Sequence, residues 1–326
     1  MNKKKSANLT WKDDFVEALF PVDERILQLP PQFRYKRSLR QIVEEKIIPD
    51  IKRPNAKLAE TIRNENIPSA LYKYRGFDPE GYSLANFEND QLWLSAPTDF
   101  NDPFDALLKN NIDEFIDNQE DWINHKSDFT QFCINCGMAD SDLELAYQTY
   151  KEVTETMEKN KDVLHAIYTF RPQSLFRVGC LCETNTSILM WSHYANSHTG
   201  FCIEYNLLNV SNDDIAKRNL YPVLYQERSD TQRDDACSGM QYYSLYSVLR
   251  KSMDWSYEKE WRIVLSFYSM ENPGNIQLPG ATAVYLGCKI NDENTRIIMD
   301  IAKRKSIPIY KARLNPNTGH ISYLEI

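Results

Sequence analysis

Two glutamates stand two positions apart in the run WSYEKEWRIVLSF at residues 255–267, as Glu258 and Glu260. If this run is a β-strand, its side chains alternate between two faces, and Glu258, Glu260 and Arg262 share one of them. Paired carboxylates can transfer protons to and from a reacting group or stabilise a developing positive charge. A solvated strand face, in which Arg262 relieves the repulsion, explains the same residues equally well.

Two shorter runs carry further polar groups suited to binding or catalysis. In YKYRG, Lys73 and Arg75 share one face of a predicted strand and could clamp a phosphate, although an exposed edge strand is the simpler interpretation. In MWSHYANSHTGFCIEY, Trp191 and Tyr194 share a helix face, and the adjacent His193 could act as a base or hydrogen-bond donor. Aromatic rings beside polar groups also suit a planar heterocyclic ligand.

The run LWLSAPTDFNDPFD joins a predicted strand to a predicted helix. Ser95 ends the strand, and Asp102 caps a helix that we expect to begin at Pro103. These structural roles explain its polar residues without a ligand. The chain contains no GxGxxG, no P-loop and no GxSxG, so the commonest nucleotide-binding and hydrolase motifs are missing.

The cysteines form two close pairs that resemble halves of a zinc site. They are Cys133 with Cys136, and Cys180 with Cys182. The two pairs are far apart in the chain, and the run RVGCLCE alternates like a strand with small buried residues. We therefore expect structural cysteines and no metal.

The charge balance limits the classes of partner. The chain has 38 basic and 46 acidic residues and a formal net charge of −8, which argues against a broad, nonspecific grip on nucleic acid. The same balance weakens the interpretation as a metal-dependent nuclease, whose candidate residues would be Asp99, Asp102, His193 and Glu260.

Composition predicts a folded protein of the cytoplasm. Hydrophobic residues make up 42% of the chain and aromatic residues 12%, and no run of about 18 apolar residues predicts a membrane span. The first residues, MNKKKSANLTWKDD, lack the apolar segment of a secretory signal. Seven cysteines, an odd number without a regular framework, fit a reduced compartment.

The elements that must position these groups predict an α+β fold. Residues 1–66 are polar and helix-prone, with apolar residues at helical spacing over 37–48, and we interpret them as a helical N-terminal extension. Residues 67–326 form a single α+β domain with a mixed or antiparallel sheet, interrupted by an acidic helical insertion at 112–170.

Five runs, taken in order, resemble a bacterial family known as domain of unknown function 2971. They span most of residues 70–290 and are YKYR (72–75), LWLSAPTDFNDPFD (92–105), CLCE (180–183), MWSHYANSHTGFCIEY (190–205) and WSYEKEWRIV (255–264). The family name implies no activity.

A more distant likeness is to the ADP-ribosyltransferase superfamily, which implies split sheets that hold NAD as substrate. By position, Arg75 would contact the NAD phosphate or ribose, with Lys73 as its competitor, and Ser95 would lie beneath the nicotinamide ribose. Glu260 would be catalytic and Glu258 the accessory acid. Trp191 or Tyr194 would stack on nicotinamide. The sequence departs from that pattern in reading LSAP on the second strand and in its long helical insertion.

The resemblance implies an NAD-consuming transferase, of the kind found in bacterial toxins and antiphage effectors. Its acceptor would be a protein, a nucleic acid base or water. The alternative is a module without chemistry, in which the aromatic–histidine run binds a small ligand or a partner peptide.

Overall fold

A computed structural model describes residues 10–23, 25, 50, 52–107, 116–117, 120, 123–135, 138–227, 240–266 and 274–326. The chain divides into two compact units. One contains residues 1–60, 106–172 and 229–248, and the other contains residues 61–105, 173–228 and 249–326. The helix predicted over 37–48 lies outside the described residues, as does Cys136.

The described part of the first unit is helical. Helix α1 (Trp11–Leu19) begins at a capping box in which Asp13 accepts hydrogen bonds from the backbone and hydroxyl of Thr10. Helices α4 (Lys126–Asn135), α5 (Leu143–Lys159) and α6 (Lys161–Leu175) follow later in the chain. Phe129 of α4 stacks on Tyr150 of α5, with ring centroids 4.9 Å apart.

Helices α4, α5 and α6 lie mostly within residues 112–170, where the sequence predicts a helical insertion. The insertion as a unit of the fold stays a prediction. The predicted division of the chain at residues 66 and 67 stays a prediction.

The second unit is built on one eight-stranded, largely antiparallel sheet, which confirms the predicted α+β class. In spatial order its strands are β12 (Ile321–Glu325), β11 (Ile309–Leu314), β10 (Ala283–Leu286), β4 (Phe201–Tyr205), β1 (Leu71–Arg75), β3 (Phe176–Cys182), β8 (Glu260–Ser266) and β5 (Leu220–Pro222). Strands β10 and β11 are parallel, and helix α10 (Asp292–Lys305) connects them.

Two small sheets and several short helices complete the described elements. Strand β2 (Gln91–Trp93) pairs with β9 (Asn275–Gln277), and β6 (Leu224–Gln226) pairs with β7 (Arg250–Ser252). The remaining helices are α2 (Ala56–Glu65), α3 (Tyr82–Glu88), α7 (Ile188–Tyr194), α8 (Ile215–Arg218) and α9 (Met240–Leu249). No helix among the described residues is long and apolar enough to cross a membrane.

The large sheet opens between β1 and β3. Five residue pairs join β1 to β4 and seven join β3 to β8, but one pair, Tyr72 with Cys182, joins β1 to β3. Beyond that pair the Lys73 ammonium donates to the Cys180 carbonyl oxygen at 2.8 Å. Further along β3, Ser95 takes the place of β1 by bridging to Val178. The strands on either side of this opening belong to one eight-stranded sheet. The likeness to ADP-ribosyltransferases stays a prediction.

Helix α7 packs on one face of the sheet around Trp191. Ser187 caps the helix by accepting from the Met190 N–H, which fixes its start. The buried indole of Trp191 meets the ring of Tyr74 edge to face at 5.1 Å. Its N–H donates to the Asn185 carbonyl oxygen at 2.7 Å. This packing holds Tyr194, at the end of α7, beside β8.

Two predicted elements differ from the structure. The strand predicted over 255–267 begins at Glu260, because residues 253–258 form a 3-10 helix that ends at a left-handed Lys259. The helix predicted to begin at Pro103 is a turn, in which Asp102 accepts from the Phe104 N–H at 2.9 Å. Asp102 thus acts as a turn residue, which short polar side chains favour as well as helix caps.

Gly200 lets the turn after α7 lie against β1, which makes its substitution a test of this packing. A Cβ at Gly200 would overlap the Arg75 carbonyl oxygen and lie 3.0 Å from that of Ala195. We expect Gly200→Ala to lower the free energy of unfolding by roughly 1–3 kcal/mol in urea titrations. Gly280→Ala is the control, because its new Cβ would lie 4.0 Å from its nearest neighbour. Equal urea midpoints for the two variants would contradict this packing.

Candidate functional site

A left-handed turn brings Glu258 and Glu260 together. Lys259 has φ of 46°, which reverses the backbone between the 3-10 helix and β8. The expectation that both glutamates lie on one strand face was therefore wrong for Glu258. Both carboxylates nevertheless meet the Lys251 ammonium of β7, at 2.6 Å for Glu258 and 3.1 Å for Glu260.

Arg262 ties the same cluster to the loop before residue 106. Its guanidinium donates to both oxygens of Asp105, at 2.7 and 2.6 Å, and its Nε donates to Glu260 at 2.9 Å. Arg262 is 0% exposed. A buried guanidinium in this bidentate geometry has its charge compensated by fixed partners. Three carboxylates and two cations thus form one buried network, comprising Asp105, Glu258, Glu260, Lys251 and Arg262.

The two glutamates have opposite pKa shifts. Burial, and then repulsion by Glu260, raises the pKa of Glu258 above its ordinary 4.5. Burial acts in the same direction on Glu260, but attraction by Arg262 and Lys251 outweighs it and holds the pKa of Glu260 well below its usual range. Glu258 therefore takes up a proton more readily than Glu260, whose ionised form the two cations stabilise.

Tyr194 links the buried network to the surface. Its hydroxyl donates to Glu258 at 2.7 Å and accepts from the Asn101 side-chain amide at 3.2 Å. Asn101 is exposed, whereas Glu258 is buried. Burial, and then the Glu258 charge, raises the pKa of Tyr194, so its hydroxyl stays protonated and donates.

The other aromatic candidates have different surroundings. Trp191 is fully buried between Tyr74 and His198, so its ring faces protein rather than a ligand. His193 is exposed, and its ring centroid lies 6.2 Å from that of Tyr194. Of this run, Tyr194 alone contacts a residue of the network through a hydrogen bond within the described residues.

Lys73 and Arg75 lie at the sheet opening rather than on an exposed edge, which corrects the simpler interpretation of YKYRG, since β1 is an inner strand. The register places Tyr72, Cys182 and Glu260 opposite one another on one face, so Lys73 and Arg75 leave β1 toward the other face. The sheet therefore does not bring them onto the face of Glu260.

The two cations at the opening differ in their partners. Lys73 is bound to the Cys180 carbonyl, and burial lowers the pKa of Lys73 to about 8. The buried Nε of Arg75 has no hydrogen-bond partner in the described structure. Burial also lowers the pKa of Arg75, which marks a guanidinium whose charge is poorly compensated.

Ser95 and the nuclease candidates do not join the network. Ser95 shares the sheet face of Val178 through its bridge to β3. Asp99 and His193 are exposed, and Asp102 is buried in its own turn. Among the described residues, no group of three or more histidine, cysteine, aspartate and glutamate side chains is arranged to hold a metal ion.

The cysteines that the structure describes have free thiols in the interior of their units. Cys133 and Cys182 are buried, and Cys180 is partly buried. Burial, and then the Glu260 charge, raises the pKa of Cys180, so it stays a thiol.

Sequence reasoning missed Asp105 and Lys251 as members of the site. Asp105 is a single charge within the apolar run PFDALL, and Lys251 follows Arg250 at the end of the apolar run in SVLRKSM. A buried charge needs a partner, so these interruptions were a usable signal, although neither run names the partner. Tyr225 was also missed, and its hydroxyl accepts the Glu260 N–H at 2.7 Å.

Residues 190–263 match the model of one protein family. The family is described as Protein of unknown function (DUF2971). The matched segment contains Tyr194, Lys251, Glu258, Glu260 and Arg262, which are most of the network and its link to the surface. The match supports the resemblance noted in the sequence over this segment. No curated protein and no solved structure matches the chain.

Lys251 is the residue whose removal should disturb this network most specifically. Lys251→Met leaves three carboxylates with Arg262 alone, so we expect a loss of about 3–5 kcal/mol of stability. The pKa of Glu258 then rises further above 4.5, and a raised native pKa stabilises at low pH and loses that effect as pH rises. The deficit should therefore grow between about pH 5 and pH 8 in urea titrations.

The matched control is Lys52→Met, which removes an exposed ion pair with Glu17 at 3.0 Å. We expect it to cost at most about 1 kcal/mol at either pH. A pH-independent deficit in Lys251→Met would mean that lost packing, rather than carboxylate charge, causes the destabilisation.

Proposed function

We propose that this protein cleaves the bond between nicotinamide and ribose in NAD and transfers ADP-ribose to an acceptor. The observation that carries the proposal is the opposite pKa shift of two adjacent glutamates in one network. Pairs of titratable groups whose surroundings push their pKa values apart are typical of acid–base sites. The choice of NAD as substrate comes from the distant likeness of the sequence to ADP-ribosyltransferases.

In this mechanism Glu260 acts through its charge. The nicotinamide leaves with the electron pair of the glycosidic bond, and positive charge develops on the ribose. With all five groups ionised, three carboxylates and two cations leave the network with a net charge of −1. That negative charge, fixed in a site with little water, favours the transition state in which positive charge moves from the nicotinamide ring onto the ribose.

Glu258 takes the proton of the acceptor in the same proposal. A nucleophile that attacks the ribose carbon must lose a proton, and a glutamate with a raised pKa accepts that proton more readily than an ordinary glutamate. Tyr194 holds the Glu258 carboxylate in place, and its hydrogen bond to Asn101 marks the side from which substrate reaches Glu258.

The likeness implies NAD-binding roles for several residues, and the structure supports some of these proposals better than others. Arg75, whose Nε has no partner in the described structure, suits a phosphate better than Lys73, whose ammonium is already bound to Cys180. Both side chains leave β1 on the face opposite Glu260, which weakens this part of the proposal. Ser95 lies at the far end of the sheet opening. Stacking of nicotinamide on Tyr194 needs no change in the core, whereas stacking on Trp191 requires its present packing to open.

We also propose that this protein is a bacterial toxin or antiphage effector, which acts in the cytoplasm on a protein or a nucleic acid. This part depends on the ADP-ribosyltransferase likeness alone. The proposal requires no metal.

A second candidate is a binding module without chemistry. The observation that favours it is that the charge of Glu260 is already compensated, because both of its oxygens accept hydrogen bonds from Arg262 or Lys251. Such a network is also typical of a structural ion cluster. In this alternative, the exposed His193 and the partly exposed Tyr194 would contact a small ligand or a peptide.

Nicotinamide release from NAD, with cell lysate as a source of acceptor, separates the two candidates. We expect wild type to release nicotinamide and Glu260→Gln to lose at least about 100-fold, since a fixed charge at the reacting centre is removed. Glu258→Gln should reduce transfer to the acceptor by about 100-fold or more. Glu80→Gln, at an exposed glutamate outside the network, is the matched control and should retain full activity.

The thermal unfolding of each variant should be measured alongside these assays, so that a loss of activity can be distinguished from a loss of folded protein. If the wild-type protein neither releases nicotinamide nor melts at a higher temperature with NAD, the proposed transferase activity is contradicted. The binding module is then favoured.

A further inference from the structure

Arg75 is a cation whose charge no described residue compensates. Its Nε is buried and donates to no acceptor, and its two terminal nitrogens also form no hydrogen bond or ion pair with a described residue. Solvent reaches the terminal nitrogens but not Nε. A desolvated charge is costly unless a partner compensates it, so this guanidinium is suited to a ligand that brings a negative charge.

The same sheet holds a buried arginine that is fully paired. Arg262 donates four hydrogen bonds to two carboxylates. Asp78, whose charge acts on Arg75, instead accepts from the backbone N–H groups of Tyr82 and Ser83 at 2.7 and 2.8 Å. Asp78 is therefore committed to the start of α3 and forms no ion pair with Arg75.

Lys73 brings a second positive charge to the same face. It lies two positions before Arg75 on β1, so both side chains leave the strand on the face opposite Glu260. The Lys73 ammonium donates to the Cys180 carbonyl oxygen, and its other two N–H groups have no acceptor in the described part of the chain. Lys73 and Arg75 are both partly exposed, so a ligand can reach them.

We propose that Arg75 and Lys73 bind a terminal phosphate group, in an anion site separate from the network of Glu258 and Glu260. The unused nitrogens of Arg75 form the fork that binds two oxygens of one phosphate. Two positive charges match the charge of about −2 on a phosphate monoester, whereas a carboxylate or a phosphodiester carries a single negative charge. The ligand is therefore distinct from the singly charged phosphates of NAD, and this inference does not rest on the proposed NAD chemistry.

Lys73 makes this binding depend on pH. Burial, and then the Arg75 charge, lowers the pKa of Lys73 to about 8. The other titratable groups whose charges act on Lys73 are Cys180, Cys182 and Glu260. Burial raises the pKa of both cysteines, and the cationic partners of Glu260 outweigh its burial and hold its pKa below the usual range. Lys73 is therefore the member of this group that loses its charge as pH rises from about 7 to about 9.

Titration calorimetry with glycerol phosphate, a phosphate monoester, tests the site at an ionic strength fixed with sodium chloride. We expect saturable binding to wild type that weakens roughly tenfold from about pH 7 to about pH 9, because the protonated fraction of Lys73 falls by that factor. The monoester keeps its charge over this range, since its second pKa is about 6. Inorganic phosphate should displace it, and dimethyl phosphate, a diester, should bind at least about tenfold more weakly.

Arg75→Gln should weaken binding of glycerol phosphate by at least about tenfold, because the fork is lost. Without ligand it should melt no lower than wild type, since an uncompensated charge is removed. Arg313→Gln, at an exposed arginine of β11, is the matched control and should bind like wild type.

The proposal is overturned if wild type does not bind the monoester, if inorganic phosphate fails to displace it, or if the diester binds equally well. Equal affinities of Arg75→Gln and Arg313→Gln overturn it too. If Arg75→Gln does not fold, Lys73→Gln decides the question. It should bind more weakly than wild type at about pH 7 and lose the pH dependence. Wild-type affinity and pH dependence in Lys73→Gln would overturn the proposal.

Discussion

The buried guanidinium of Arg262 is the constraint on which the sheet-bearing unit depends. A fully desolvated cation is stable here because Asp105 and Glu260 surround it with charge-assisted hydrogen bonds. Asp105 belongs to the loop that follows β2, Glu260 begins β8, and Lys251 adds β7. The ion network therefore fixes the positions of β7 and β8 relative to a loop that lies 157 positions before Arg262. Removing one partner leaves a buried charge uncompensated.

The same network explains why one glutamate holds a proton more readily than the other. Glu260 lies between both cations, whereas Glu258 contacts Lys251 and the neutral hydroxyl of Tyr194. A difference of one partner is enough to send the two pKa values in opposite directions, because both carboxylates are desolvated. A structural ion cluster and an acid–base site can both have this arrangement. A functional role for Glu258 therefore depends on whether a substrate can reach it past Tyr194.

Much of the fold was predictable from local patterns, and the site only in part. The alternation of EWRIVLS predicted that Glu260 and Arg262 share a strand face, and the helical spacing of Trp191 and Tyr194 predicted α7. The left-handed Lys259 was not predictable, because an αL residue that is not glycine has no clear sequence signal. Nor was the partnership of Arg262 with Asp105, 157 positions away, since periodicity describes a segment and not its distant partners.

The opposite shift of the Glu258 and Glu260 pKa values, from a common ordinary value of 4.5, is the property that distinguishes this site. It is tested most directly by following the side-chain carboxyl carbons by NMR during a pH titration, with resonances assigned through Glu258→Gln and Glu260→Gln. We expect the Glu258 resonance to titrate above pH 4.5, while that of Glu260 stays at its ionised position until acid unfolding. Two resonances that titrate together near 4.5 would contradict it, because the network would then not distinguish the two carboxylates.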